Sequence, residues 1–348
     1  MFTQTLANDV VISPSRILQV GYGFWSSKVL LTAVNFELFT FLSGRNKTAA
    51  EIKAHLKLQD RGLTDFLDAL VALKFLYREG HGEDARYGNT LEADSFLDKT
   101  KPSYIGGIME MVNNRLYNSW SHLDKALQTG LPQNEIQKGE QSAYDILYHN
   151  EQKLAEFVHA MSGAQRGSFT SFAKQFDSAG YQTLCDLGGA AGDLAIQVAI
   201  HHPEMRCISF DLPQVAPIAQ RNIEKYKVEG RVSVASGDFF NDDFPATDVL
   251  TMGNILHNWS LEKRKVLIKK AYDTLPKGGA LVVIENMIDD ERRESTFGLL
   301  MSLNMLINTT GGSNFSAADF TGWAREAGFV QVKIMHLTGS ASALIAYK

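Results

Sequence analysis

The sequence predicts an α/β protein in which a helical N-terminal domain precedes a doubly wound, mostly parallel β-sheet. Three observations lead to this prediction. The first third of the chain holds two short helical patterns and then a hairpin pattern, which together are typical of a winged helix. From residue 182 onward, apolar strands alternate with helical stretches. A turn rich in glycine and alanine follows the first of those strands, where open α/β sheets bind ligands.

The 348 residues are enough for two domains, each with its own core. The pattern changes at two points, and three regions are predicted. They are a winged-helix domain over residues 1–102, a helical linker and pocket region over residues 103–180, and a sheet-containing domain over residues 181–348.

The winged-helix prediction starts with residues 17–43, which carry apolar side chains at helical spacing. Thr48, with Glu51 three residues later, forms a capping box ahead of a short helix. Residues 63–76 read as a second amphipathic helix, and residues 76–87 as a small hairpin.

The C-terminal region contains seven strand candidates. Five alternate with helices: 183–187, 206–212, 232–235, 248–255 and 280–285. The helical patterns between them cover residues 193–201, 214–226 and 261–275. The last two candidates, 330–337 and 341–347, are joined by a turn too short for a crossover, so we expect them to pair antiparallel.

Composition and charge argue against several classes of function. The net charge is -5, and the first 105 residues hold about a dozen acidic and a dozen basic side chains, so no positive surface for nucleic acid is expected. No signal peptide is recognised, and residues 29–42 are too short and too polar to span a bilayer. Cys185 and Cys207 fall in predicted buried strands, as a reduced pair would. We therefore expect a cytoplasmic protein that binds neither nucleic acid nor membrane.

The small-residue turn is the first candidate binding feature. It runs from Asp186 to Asp193 and contains Gly188, Gly189 and Gly192, which let a ligand approach the backbone. A dinucleotide fingerprint would need glycine at positions 190 and 193, which hold Ala and Asp here. The two flanking carboxylates disfavour a pyrophosphate and favour a ligand with a sulfonium and an ammonium group. The turn therefore favours S-adenosylmethionine over a nicotinamide dinucleotide.

Two further carboxylates end the next two predicted strands. Asp211 follows Asp186 by 25 residues and could accept hydrogen bonds from both hydroxyls of a ribose. Asp238 could accept one from an adenine amino group. A single strand-end aspartate is usually a solvated helix cap, but three in succession beside a glycine turn form a joint signal.

At this point the chain resembles a known family. Asp-Leu-Gly-Gly-x-x-Gly from Asp186, Asp-Leu-Pro-x-Val from Asp211, Gly-Asp-Phe-Phe from Gly237 and Leu-His-Asn-Trp from Leu256 resemble the S-adenosylmethionine-dependent O-methyltransferases of the caffeate, acetylserotonin and bacterial polyketide-tailoring group. The resemblance spans nearly the whole chain. It implies a Rossmann-like, seven-stranded methyltransferase domain behind a winged-helix dimerisation domain, and hence a homodimer.

The resemblance also implies a set of cofactor contacts. They are Asp186, Gly188, Gly189, Gly192, Asp211, Leu212, Asp238 and Phe239. Ala190 stands where the family usually has a third glycine, and alanine fits there if the backbone φ is negative.

The resemblance implies that His257 is the general base for methyl transfer to a hydroxyl of an aromatic small molecule. Imidazole titrates near neutral pH and suits this role. Glu285 matches a family glutamate that orients the base. Asn258 replaces the family's aspartate after the histidine, and Asn314 stands where the family often has a second glutamate.

The acceptor pocket is the remaining part of the predicted site. Met161, Met301, Asn304, Met305 and Asn308 resemble substrate-contacting positions, although each could equally be a core residue at helical spacing. Asn258 and Asn314 join this predicted set. A carbon or nitrogen acceptor, and a related fold that binds the cofactor without methyl transfer, stay open as alternatives. No metal is expected, because His257 has no partner at a recognisable ligand spacing.

Overall fold

A computed structural model gives the structure of residues 4–5, 11–134 and 151–348. They belong to two units, Met1–Leu116 and Tyr117–Lys348, each with its own core. The part of the predicted helical region at residues 135–150 lies outside the described residues. The three-region division at residues 102 and 180 stays a prediction.

The N-terminal unit contains short helices and a three-stranded sheet. Its helices are α1 Ser15–Gly21, α2 Gly23–Asn35, α3 Leu38–Leu42, α4 Ala49–Leu56, α5 Leu63–Ala72, α6 Leu91–Leu97 and α7 Gly106–Met111, with a π-helical turn at Val112–Leu116. Its strands are β1 Gln4–Thr5, β2 Val11–Ile12, β3 Lys47–Thr48, β4 Leu76–Glu79 and β5 Arg86–Asn89. The sheet order is β3-β5-β4, and β1 pairs with β2.

The winged-helix prediction is confirmed in this unit. Thr48 Oγ1 accepts the Glu51 N–H at 3.2 Å, and Glu51 Oε2 accepts the Thr48 N–H at 2.9 Å, so the capping box begins α4 as predicted. Strands β4 and β5 form the predicted hairpin. Leu38, Phe39 and Leu67 are fully buried in the core beneath it.

Two predicted helices of this unit are shorter than expected. The helical pattern of residues 17–43 covers three helices: Tyr22 separates α1 from α2, and Glu37, with φ 56°, separates α2 from α3. Helix α5 ends at Ala72 rather than residue 76, because Lys74 adopts φ 68°, a left-handed conformation that ends a helix.

The C-terminal unit alternates strands and helices. Its helices are α8 Tyr117–Trp120, α9 Leu123–Thr129, α10 Glu151–Gln175, α11 Asp193–His201, α12 Ala216–Lys225, α13 Leu261–Thr274, α14 Thr296–Asn308 and α15 Ala317–Ala327. Its strands are β6 Thr183–Leu187, β7 Arg206–Asp211, β8 Val232–Ser236, β9 Val249–Gly253, β10 Ala280–Asn286, β11 Gln331–His336 and β12 Ala341–Tyr347.

These strands form the predicted seven-stranded sheet, in the order β11-β12-β10-β9-β6-β7-β8. Strand β12 runs antiparallel to β10 and to β11, as the short turn before it requires, and all other neighbouring strands of the sheet are parallel. The chain moves outward from β6 to β8 and then returns to place β9 on the other side of β6. This reversal opens a crevice at the carboxyl ends of β6 and β9, where doubly wound sheets bind ligands.

Both faces of the sheet are covered, which explains its continuously apolar strands. Val282 and Ile284 face one core cluster, and Leu281 and Val283 face the other. None of the helices in the described ranges combines the length and apolar character needed to cross a bilayer.

Candidate active site

The glycine-rich turn connects β6 to α11 and has little room for side chains. Gly188 and Gly192 adopt φ 72° and 76°, which glycine tolerates best. A Cβ on Gly189 would come within 2.4 Å of Ser209 Oγ, and one on Gly188 within 2.4 Å of Ile255 Cδ1. The backbone of the turn is therefore packed directly against β7 and the segment that follows β9.

The backbone conformation of Ala190 differs from the one that the sequence analysis predicted. Its φ is 48° rather than negative, so an alanine occupies the left-handed region where the family usually has glycine. The conformation is held by the Ala190 N–H, which donates to Asp211 Oδ2 at 2.8 Å. The turn thus keeps its shape despite the cost of a Cβ at this position.

Ala190→Gly should therefore raise the free energy of unfolding by up to about 1 kcal/mol, because relief of the left-handed strain outweighs the added freedom of the unfolded chain. Urea denaturation would measure this. Ala191→Gly is the matched control, since Ala191 is buried and its φ is not positive, and it should lower stability. A less stable Ala190→Gly protein would contradict the strain argument.

Asp186 lies at the base of the turn and is 3% exposed. Its Oδ1 accepts a hydrogen bond from Thr251 Oγ1 of the adjacent β9 at 2.7 Å. Burial, together with the nearby carboxylates of Asp211 and Asp193, raises the pKa of Asp186 to about 7, although the Thr251 hydrogen bond opposes the shift. Three carboxylates thus converge on the turn, and Arg166 Nη2 lies 4.0 Å from Asp193 Oδ1. This arrangement favours a positively charged ligand.

Asp211 is held at the end of β7 by the turn itself. Its Oδ1 accepts the N–H of Leu212 at 2.7 Å, while Oδ2 accepts that of Ala190. Burial raises the pKa of Asp211, and these two backbone hydrogen bonds oppose the shift. Each oxygen keeps a lone pair with which to accept a further hydrogen bond from a ligand.

Asp238 lies one strand further along, and its carboxylate is engaged locally. Oδ1 accepts the Phe240 N–H at 2.8 Å, and Oδ2 accepts from Asn241 Nδ2 at 2.6 Å. The ring of Phe239 lies beside Gly188 and meets Trp259 edge-on at a centroid distance of 6.0 Å. An aromatic wall therefore borders the turn, and Trp259 packs within that wall.

His257 lies in a single 3₁₀ turn, Leu256–Asn258, which follows β9. Its Nδ1 is 2.5 Å from Glu285 Oε2, and its backbone N–H donates to Glu285 Oε1 at 3.2 Å. Both side chains are buried. Because Glu285 engages Nδ1, the opposite ring nitrogen, Nε2, points away from the carboxylate and is the nitrogen that could accept a proton.

Arg264 is a residue that the sequence analysis missed. It is 3% exposed, its Nε donates to Leu256 O at 2.9 Å, and its Nη2 donates to both Ser313 O and Ser313 Oγ. Burial lowers the pKa of Arg264, and the Glu285 carboxylate opposes this shift. Arg264 therefore ties the His257 turn to the loop before α15. The sequence did contain one indication that Arg264 is buried, because it shares the helical spacing of the apolar residues Leu267, Ile268 and Ala271.

Asn258 and Asn314, the two amides that replace family carboxylates, lie close to the His257–Glu285 pair. Asn258 Nδ2 donates to Asn254 O at 3.0 Å, which folds the side chain back onto its own turn. Asn314 is buried, and its Nδ2 donates to Asn286 O at 2.7 Å, next to Glu285. The preceding Ser313 N–H donates to His257 O at 2.9 Å. The structure thus brings Asn314 beside the His257–Glu285 pair.

Several residues of α14 were predicted to contact the methyl acceptor, and two of them, Asn304 and Asn308, form a connected polar face. Asn304 Oδ1 accepts from Trp120 Nε1 and from Asn308 Nδ2, both at 3.0 Å. Met301 Sδ lies 3.7 Å from Asn304 Nδ2, whereas Met305 is buried. Met161 is half-buried on α10. Trp120 was not predicted, because it belongs to no recognisable sequence motif. The role of these α14 residues and Met161 in substrate binding stays a prediction.

The residues present fit S-adenosylmethionine. Buried carboxylates surround a turn too tight for side chains, as a cationic ligand that contacts the backbone requires. A histidine with one nitrogen engaged by a carboxylate lies at the same sheet edge. Among the described residues, no three His, Cys, Asp or Glu side chains cluster as metal ligands would.

Comparisons with known proteins identify the family. The O-methyltransferase domain matches residues 120–330, and the O-methyltransferase dimerisation domain matches residues 18–99. The tetracenomycin polyketide synthesis 8-O-methyl transferase TcmO of Streptomyces glaucescens is 37% identical, over 97% of this chain and 98% of TcmO. The N,N-dimethyltransferase OxyT of Streptomyces rimosus is 32% identical, over 92% of this chain and 91% of OxyT.

A solved structure supports the same family. Human N-acetylserotonin methyltransferase in complex with S-adenosylmethionine has a TM-score of 0.89 and 27% identity, and the match covers 99% of both chains. The resemblance seen in the sequence motifs is thereby confirmed over both units. The chain belongs to the S-adenosylmethionine-dependent O-methyltransferase family, and S-adenosylmethionine is its cofactor.

Proposed function

We propose that this enzyme transfers a methyl group to a hydroxyl of an aromatic small molecule, with His257 as general base and Glu285 as the residue that positions it. The observation that carries the proposal is the buried His257–Glu285 pair, in which His257 follows β9 and Glu285 lies near the end of the adjacent β10. The side chain of Ile255, two residues before the base, lies against Gly188. TcmO, named for an 8-O-methyl transfer, and the human enzyme, named for N-acetylserotonin, support a hydroxyl on an aromatic ring.

The proposed chemistry divides among the residues described above. S-adenosylmethionine supplies an electrophilic methyl group on a positively charged sulfur. Asp186, Asp211 and the glycine turn bind and orient the cofactor, with Asp238 and Phe239 at its adenine. His257 Nε2 accepts the hydroxyl proton as the acceptor oxygen becomes nucleophilic. Glu285 fixes the ring through Nδ1 and stabilises the imidazolium that results.

The proposed acceptor pocket combines Met161 with the polar face of α14 and the two amides. Its members are Met161, Asn258, Met301, Asn304, Met305, Asn308 and Asn314. A flexible thioether such as that of Met301 adapts to flat rings, and the Asn304 and Asn308 amides offer hydrogen bonds to ring substituents.

A panel of acceptors tests the proposal. The enzyme would be incubated with S-adenosylmethionine labelled on the methyl group and with matched phenols, catechols, anilines and carbon nucleophiles. Label recovered on oxygen supports the proposal. Label on nitrogen would favour the second candidate, an N-methyltransferase, which the 32% identity to OxyT motivates. Cofactor binding without transfer to any acceptor would favour a non-methylating function.

Replacement of Asp211 should weaken cofactor binding. Asp211→Ala removes a carboxylate that can accept from a ribose and also holds the Ala190 and Leu212 N–H groups. We expect a loss of about 1.5–3 kcal/mol, or roughly 10- to 150-fold in affinity, measured by calorimetry. The exposed Asp243→Ala serves as the charge-matched control and should bind normally. Unchanged affinity in Asp211→Ala would refute the ribose assignment.

Cofactor affinity should also depend on pH through Asp186. In the cofactor-free protein its pKa is about 7, above the ordinary value of 3.8. The folded state therefore favours the neutral acid, so this group's contribution to stability is present below about pH 3.8 and is lost as the pH rises through 7. A cationic ligand requires the ionised form. Below pH 7, cofactor binding must then release a proton from Asp186. The affinity should therefore fall by up to about tenfold for each unit by which the pH is lowered.

Calorimetry between pH 5.5 and 8.5, in buffers of different ionisation enthalpy, measures both the affinity and the proton release. Asp186→Asn is the control, because an amide does not titrate; its affinity should be weaker at pH 8 and nearly independent of pH. A pH-independent affinity in the unmodified enzyme would show that Asp186 does not sense the cofactor charge.

We also propose that the enzyme is a homodimer assembled through its N-terminal unit. The dimerisation domain of the family matches residues 18–99. Helices α1 and α2 expose large apolar side chains: Ile17 and Val20 are each 76% exposed, and Trp25 is 58% exposed. Light scattering at micromolar concentration should give a dimer mass, and a monomer would refute the proposal.

A further inference from the structure

A small cavity lies between α10, α11 and α12, on the helical side of the cofactor turn. Its volume is about 140 Å³. Ser162 and Arg166 reach it from consecutive turns of α10, and Arg221 and Lys225 from consecutive turns of α12. Asp193, the first residue of α11, closes one side. The cavity belongs entirely to the C-terminal unit.

The charge of this cavity is positive. Arg166, Arg221 and Lys225 contribute three cations, and Asp193 contributes one carboxylate, 4.0 Å from Arg166. Arg221 and Lys225 form no ion pair with any described residue. Two positive charges are therefore uncompensated.

A buried hydroxyl gives an independent indication of a ligand. Ser162 is only 7% exposed, and its Oγ has no hydrogen-bond partner among the residues that the structure describes. Buried polar groups in folded proteins are nearly always satisfied, so an orphaned hydroxyl facing a cationic cavity calls for an acceptor.

We propose that this cavity binds a phosphate group. Two guanidinium groups, an ammonium group and a hydroxyl supply more donors than the two oxygens of a carboxylate can accept, whereas a tetrahedral phosphate offers four oxygens. Arginine matches phosphate geometry with paired hydrogen bonds. The volume equals that of about four to five water molecules, which suits a phosphate but is too small for a nucleotide.

The cavity is distinct from the cofactor turn but is connected to it. Asn222, which also lines the cavity, donates from Nδ2 to Ala191 O at 2.8 Å. The residues that line the cavity come from α10, α11 and α12, whereas the cofactor crevice lies at the carboxyl ends of β6 and β9. Phosphate and S-adenosylmethionine are therefore expected to bind at the same time.

Calorimetry of the full chain with inorganic phosphate, at constant ionic strength, tests the proposal. We expect one phosphate per chain, an affinity at least about tenfold weaker in Arg221→Ala, and no change in Lys333→Ala, a charge-matched exposed control. Ser162→Ala should weaken phosphate binding without lowering stability, because its hydroxyl has no partner to lose. Cofactor affinity, measured for each variant, verifies that it is folded.

Glycerol 1-phosphate, as a second probe, distinguishes the source of the phosphate. Tighter binding than inorganic phosphate would assign the site to a phosphorylated molecule, and weaker binding would assign it to free phosphate. Three results would overturn the proposal: no binding up to about 10 mM phosphate, equal losses in Arg221→Ala and Lys333→Ala, or displacement of phosphate by saturating S-adenosylmethionine. The last would assign these residues to the cofactor's own carboxylate.

Discussion

His257→Ala is expected to lower kcat for hydroxyl methylation by about 10²–10⁴ while leaving cofactor affinity unchanged. The variant removes the only group proposed to accept the hydroxyl proton, but it leaves Asp186, Asp211 and the glycine turn intact. Single-turnover transfer of a labelled methyl group would measure the loss. Since the phenol itself ionises near pH 10, the deficit should shrink as the pH rises toward that value. A general base predicts this convergence, whereas a purely structural histidine does not.

Glu285→Gln provides the matched test of the positioning residue. Glutamine keeps a hydrogen-bonding oxygen near Nδ1 of His257 but cannot stabilise the imidazolium electrostatically. Its loss in kcat should be smaller than that of His257→Ala, and the double variant should be no worse than His257→Ala alone, because Glu285 acts through the histidine. Full turnover in His257→Ala at neutral pH would remove the base from the mechanism and point to a nitrogen, carbon or already ionised acceptor.

Arg264→Ala is expected to destabilise the C-terminal unit by about 3–5 kcal/mol. The substitution leaves the carbonyls of Leu256 and Ser313 without their donor in a buried environment, and it removes the positive charge near Glu285. For a unit of this size the loss corresponds to a Tm lower by roughly 6–20 °C, which calorimetry or circular dichroism would detect.

Lys269→Ala is the control for Arg264→Ala, since it breaks an exposed ion pair with Asp273 on the same helix and should change stability by less than about 1 kcal/mol. Arg264→Lys should lie between the two, because an ammonium keeps the charge but lacks the guanidinium fork. At temperatures where Arg264→Ala is still folded, its kcat should fall as well, since the turn that carries His257 has lost an anchor. A stable and fully active variant would show that the buried arginine is dispensable.

Most of the fold could be predicted because its signals are local. The strands Thr183–Leu187 and Ala341–Tyr347 and the helix Asp193–His201 have the predicted bounds, since each is a continuous apolar or amphipathic run with a marked end. Helix ends set by a positive φ at a non-glycine residue were missed. Lys74 and Glu37 give no sign in the sequence that their backbones turn left-handed.

The site was partly predictable for the same reason. Strand-end motifs placed His257 and Glu285 at one sheet edge, and the structure brings them within hydrogen-bonding distance. The supporting contacts join residues far apart in sequence, such as Trp120 and Asn304, and depend on packing that periodicity alone does not reveal. Arg264 was hidden for another reason: it lies in a run of charged residues that reads as a solvated face, although its spacing matches the buried stripe.

The position of β6 between β7 and β9 also has a consequence for how the protein folds. Its neighbours are β7, the next strand along the chain, and β9, which follows only after two more crossovers. The Thr251–Asp186 hydrogen bond therefore closes a loop of 65 residues. A nascent chain that has emerged only through β8 lacks one wall of the crevice, so the cofactor cannot assist the early steps of folding. Contacts of such high sequence separation slow folding, and the ligand can stabilise only a domain whose sheet is already complete through β9.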